Sequence, residues 1–144
     1  MYNKVSEAIM KKDYSSLAKA LAVIALLSIM AGGFLITRRK NHLAEATKLP
    51  YHNVSLEQVP DGFYKARTET SFLHIELQVQ VENHKIIEIK VIEADGIDAV
   101  PAQPVLNRMI AENKIAVQAV KGAELGSLVY ISCVDKALYN GITE

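Results

Sequence analysis

The sequence predicts an α+β fold: a small antiparallel sheet packed by a C-terminal helix, preceded by a single N-terminal transmembrane helix. Three observations predict it. Residues 20–37 form an uncharged apolar run. Residues 72–81 alternate strictly between apolar and polar, the period of a half-buried strand. Residues 128–138 are apolar at helical spacing and follow a glycine-bearing turn, so strands come first and a packing helix last, with no βαβ repeat.

Composition limits the function classes. The chain has 144 residues, room for one small domain or for a domain plus an anchor. It is 50% hydrophobic and 22% charged with formal net charge +0, which argues against nucleic acid or an acidic substrate as partner. Aromatic residues make up only 6%, with no Trp, so platforms for stacking single-stranded bases are lacking. The one cysteine, Cys133, excludes an internal disulfide framework and a Cys-only metal site.

Residues 1–19 are polar with scattered apolar positions; they suit either a short helix at a membrane interface or a solvated tail. The run 20–37 follows. At ~1.5 Å per residue it is long enough for the ~30 Å hydrocarbon core of a bilayer, with Lys19 placed to snorkel. A soluble core helix rarely lacks a polar face for so long, and the run sits late for a signal peptide, so a single-pass membrane anchor is expected. Lys11, Lys12 and Lys19 precede it; Arg38, Arg39, Lys40 and Lys48 follow it. That near balance leaves the side of the membrane open, with a weak tilt toward a cytoplasmic C-terminal domain. Residues 38–60, punctuated by Pro50 and Pro60, are expected to be a linker in which His42 and His52 are solvated.

The folded domain is expected over residues 61–144, opening at the Asp61-Gly62 turn with a first strand at 63–68. In the second strand Leu73, Ile75, Leu77, Val79 and Val81 share one face. Residues 82–85 suit a hairpin turn, Asn83 tolerating positive φ. The partner strand, 86–92, is expected to turn Ile87, Ile89 and Val91 inward. His74 and His84 read as surface strand and turn residues. After a loop around Pro101 and Pro104, residues 105–113 suit a short helix and 114–120 a short strand. The last helix is expected to stop at Asn140-Gly141.

No catalytic constellation is present in the sequence. Ser127 and Ser132 have no acid–base partner at a local spacing, Cys133 lies mid-helix among apolar residues, and Asp95 and Asp98 flank a turn glycine with too few oxygens for Ca²⁺. Asp135 and Lys136 read as helix-surface charges. The remaining candidate is the Gly122 turn. In that turn, backbone N–H groups at Ala123 and Glu124, the Ser127 hydroxyl and the Lys121 ammonium are the donor types that hold a phosphate at a helix N-terminus. An ordinary strand-to-helix turn explains the same residues, Glu124 then complementing the helix dipole.

From Asp61 onward the chain resembles the FMN-binding domain family, which includes the peripheral flavin subunits of sodium-translocating NADH:quinone reductase and Rnf complexes. The resemblance is carried by an opening Asp-Gly-aromatic-Tyr (residues 61–64) and the hairpin with Lys85-Ile86-Ile87. It continues through Gly122-Ala123, Ser127 and the Val134-x-x-Ala137-Leu138 ending, all behind one N-terminal anchor. It implies FMN, an electron-transfer role in a membrane redox complex with other subunits, and an extracytoplasmic domain. One departure is central. Family members that carry flavin covalently end their motif on a Thr that forms the phosphoester. Here Glu124 stands at that position, Gln118 replaces the motif's Asp and Lys121 its Ser or Thr. Covalent attachment is therefore not expected. The expectations are FMN held non-covalently, or a flavin-free accessory subunit that keeps the fold.

Overall fold

The computed structural model describes residues 2–143, with side chains described from residue 14. Two compact units divide at Lys40 and Asn41.

In the first unit, helix α1 (Tyr2–Ala46, whose last turns belong to the second unit) includes the uncharged run. It is the one helix among the described residues long and apolar enough to cross a membrane, as an anchor or a signal sequence. Its large apolar side chains, from Leu21 to Ile36, are more than half exposed. The two hydroxyls in the run turn back onto their own helix: Ser28 Oγ donates to Ile24 O (2.8 Å) and Thr37 Oγ1 to Gly33 O (2.9 Å). Such back-bonding leaves no polar group for a lipid environment to penalise. Arg38 lies over the Phe34 ring, 4.5 Å from its centroid.

The second unit begins at Asn41, twenty residues before the expected start, because residues 41–60 are tied to the sheet. Ala46 is buried, the His42 and Phe72 rings lie 4.8 Å apart, and the Glu45 carboxylate accepts from the Ser71 N–H (2.7 Å) and hydroxyl. Strands β1 (Gly62–Glu69), β2 (Leu73–Glu82) and β3 (Lys85–Gly96) form an antiparallel sheet in that order. Asn83 and His84, both at positive φ (51° and 59°), make the two-residue turn between Glu82 and Lys85, a geometry matched to strand twist. Leu73, Ile75, Leu77, Val79 and Val81 are all buried, as the alternation predicts.

β3 departs from the simple alternation. Two register shifts leave Ile87 and Ile92 without a partner on β2, so Ile86 takes the inward place opposite Val81 while Ile87 is 46% exposed. Ile89 and Val91, beyond the first shift, do turn toward the core. An inserted residue shifts every later side chain by one place, and an alternation count cannot detect it.

Helix α2 (Pro104–Glu112) buries Val105, Leu106 and Met109 beside β3, and helix α3 (Glu124–Thr143) packs on β1 and β2. Residues 114–120 form no strand; they bend at 115–116, where the Val117 N–H donates to Ile115 O (3.1 Å). Arg108 Nη1 holds the carbonyls of Gln118 (2.9 Å) and Ala119 (3.4 Å), so a side chain rather than a ladder satisfies them. Asn140-Gly141 does not stop α3. A Cβ on Gly141 would lie 2.2 Å from the Tyr64 ring, which Tyr64 Oη anchors by donating to Pro60 O (2.7 Å). Gly141 is small because an aromatic ring occupies its Cβ position.

Candidate functional site

The structure brings the five predicted residues onto one turn. Gly122 adopts φ +86°, and a Cβ there would meet nothing within 4 Å, so the glycine serves the left-handed backbone rather than a close neighbour. Ser127, one helical turn into α3, is completely buried. Its hydroxyl accepts from the Val120 N–H (3.0 Å) and donates to Ala123 O (2.8 Å), which fastens the incoming chain to the helix. The Ala123 N–H donates to Val120 O (3.0 Å). The Glu124 carboxylate accepts the Gly122 N–H at 2.9 Å. Lys121 is exposed.

This arrangement does not fit the phosphate of FMN. Two backbone donors and the hydroxyl are committed to the chain's own acceptors. Glu124 places a negative charge where the phosphate would need donors, beside the helix N-terminus that its carboxylate already complements. The turn has an anion of its own.

A second polar constellation lies at the middle of α3, where the sequence reading placed a surface charge. The Asp135 side chain is fully buried. Its carboxylate accepts the His52 N–H (2.6 Å), His52 Nδ1 (2.9 Å) and the Val54 N–H (3.3 Å). Asn53, between those donors, has φ +53°. A left-handed residue flanked by two donating amides curls the backbone into a concave anion-binding nest, and Asp135 fills it. The His52 ring stacks on Tyr139 (centroids 3.9 Å apart, planes at 11°), and Ser132 Oγ donates to Pro50 O (3.0 Å). His52 is therefore bound rather than free, and Asp135 is a buried clamp. Burial, and secondly the charge of Asp135, push the Tyr51 phenol up from its ordinary value. The sequence did hold a signal: Ser132, Asp135 and Tyr139 recur at helical spacing, a polar seam through an apolar helix.

The strap 51–57, the β2–β3 turn and the segment after α2 enclose an open cleft of about 350 Å³ lined by Tyr51, Asn53, Ser55, His84, Asn113 and Lys114 among others. Asn113, left-handed at the end of α2, accepts the Ile86 N–H (3.0 Å) and donates to His84 O (3.3 Å); His84 Nδ1 lies 3.3 Å from Leu56 O. The cleft shares no residue with the Gly122 turn. Cys133 is buried, its thiol pushed up by burial and placed 3.6 Å from Ala66 O, which makes it a core group rather than a nucleophile. Among the described residues no cluster of three or more His, Cys, Asp or Glu has the disposition of a metal site.

Comparison with family models, curated proteins and solved structures gave no match to this chain.

Proposed function

We propose that this chain is a membrane-anchored, flavin-free accessory subunit of a membrane redox complex, built on a domain that resembles the FMN-binding family. The observation that carries the reading is Glu124: its carboxylate accepts the Gly122 N–H at the position where the family's acceptor Thr would meet FMN phosphate. The resemblance supplies the redox-complex context. The uncharged run of α1, long enough to span a bilayer, supports a single-pass anchor. We place the domain outside the cytoplasm by the same resemblance, against the weak opposing tilt of Arg38, Arg39 and Lys40.

The competing reading, non-covalent FMN and direct electron transfer, would have the protein position the isoalloxazine ring and the flavin carry the electrons. It is favoured by the order of the matching segments: residues 61–64 open β1, and Lys85-Ile86 opens β3. A visible absorption spectrum of the detergent-purified native protein, repeated on the supernatant after acid precipitation, separates the two. A colourless, folded protein is expected. Flavin bands that move to the supernatant would overturn the flavin-free reading in favour of bound FMN.

A further inference from the structure

We propose that the turn after β3, centred on Ile97 and Val100, is a lipid-contacting surface that rests in the headgroup region of the bilayer. The inference rests on reading residues 20–37 as a membrane anchor.

Three observations within the second unit, and the composition of the residues just before it, carry the proposal. Ile97 and Val100 are 47% and 70% exposed, and Leu43 is 45% exposed. Exposed large apolar residues on a short turn need a partner surface more than a scattered set does.

The turn is also coupled to the end of α1. The Ile97 N–H donates to Phe72 O (2.8 Å), and the Phe72 ring lies 4.8 Å from that of His42. His42 comes five residues after the end of the uncharged run, at most about 18 Å of extended chain, so chain length alone keeps this region close to the membrane surface. The opposite end of the sheet, at Asn83, lies a ten-residue strand away, about 33 Å.

The backbone of the turn suits a water-poor environment. The N–H groups of Ile97, Ala99, Ala102 and Gln103 all donate to carbonyls of the chain, and Pro101 has none to satisfy. Each donor satisfied internally lowers the cost of leaving water.

Finally, the partner's chemistry is indicated by what precedes the unit. Arg38, Arg39 and Lys40 sit between the apolar run and Asn41, the composition that phospholipid phosphates attract. The anchor already holds a bilayer within chain reach of the turn, which singles out a lipid surface as the occupant.

The test uses the full chain in nanodiscs of mixed phosphatidylcholine and phosphatidylglycerol, with single spin labels at Ile97→Cys, Val100→Cys, Asn83→Cys and Ile29→Cys. Buried Cys133 makes the unsubstituted chain the unlabelled blank. Labels at 97 and 100 are expected to be reached better by oxygen than by a water-soluble nickel chelate, and the label at 83 the reverse. A label at 100 as accessible to the chelate as that at 83, with the label at 29 protected, would overturn the lipid contact and leave the anchor intact. Chelate access at 29 would overturn the anchor, and this inference with it.

Discussion

The carboxylate of Asp135, at the centre of α3, accepts both the backbone N–H (2.6 Å) and the ring Nδ1 (2.9 Å) of His52, a residue 83 positions earlier in the chain. With the Val54 N–H it completes a nest that ties the strap before β1 to the back of the sheet's covering helix. Asp135→Ala removes the acceptor of two backbone amides, His52 and Val54, and leaves them facing a buried site. Each orphaned donor costs about 1–3 kcal/mol, so a loss of about 3 kcal/mol in unfolding free energy is expected by urea titration of the detergent-solubilised chain. Asp95→Ala, at an exposed position, should stay within about 0.5 kcal/mol. Equal losses for the two variants would show that the clamp contributes nothing.

Gly141→Ala is expected to destabilise the protein although alanine is the better helix former by about 1 kcal/mol. The added Cβ would meet the Tyr64 ring at 2.2 Å, and that ring is fixed by its bond to Pro60 O. Tyr64→Ala alone should also destabilise, by loss of packing. The double variant should recover part of the Gly141→Ala loss, a coupling of about 1 kcal/mol or more between residues in contact. Additive losses would place the strain elsewhere.

These two contacts show why parts of the chain were legible in the sequence and others were not. The strand 73–81, its hairpin and the final helix are each specified by neighbours within ten residues, through alternation, turn chemistry and helical spacing. The apolar run of α1 is legible for the same reason. Gly141 reads locally as a stop signal; only the distant Tyr64 explains it as a packing residue. His52 and Asp135 are likewise meaningless apart, 83 positions distant, and the bulges at Ile87 and Ile92 are set by pairing with β2. At the Gly122 turn, spacing puts the residues on one turn, but the direction of each bond, Ser127 inward and Glu124 onto Gly122, depends on side-chain orientation that spacing does not encode.

Flavin attachment offers a test of the departed motif. With a flavin transferase co-expressed, Glu124→Thr alone is expected to remain non-fluorescent on a denaturing gel, because Gln118 and Lys121 still depart from the motif. The triple variant Gln118→Asp, Lys121→Ser, Glu124→Thr restores the pattern that the resemblance defines and should become covalently fluorescent. Fluorescence from Glu124→Thr alone would mean that the single carboxylate is what excludes flavin.

Acid and alkaline limits follow from different groups. Hydrogen bonds from Ser71, side chain first and then backbone, hold the Glu45 carboxyl below its ordinary 4.5. Its folded pKa is depressed, so the stability it contributes is present above that value and is lost as pH falls; the contact between the end of α1 and the β1–β2 loop should loosen first in acid. At the alkaline end burial pushes Cys133 above 9.0 and Tyr130 above 10.0. Both are neutral in either state at lower pH, so nothing is lost there. Above 9.0 the unfolded thiol ionises while the buried one resists, and above 10.0 the same holds for the phenol, whose hydroxyl donates to Ala99 O (2.9 Å). Stability should therefore decline progressively as pH rises through those values. Urea midpoints measured across pH 8 to 11 (a range of about three decades of proton activity) should show that decline. Cys133→Ala should remove its lower portion and Tyr130→Phe part of the upper, which it shares with Tyr51. A midpoint flat with pH in the native protein would mean that neither group is held protonated by the fold.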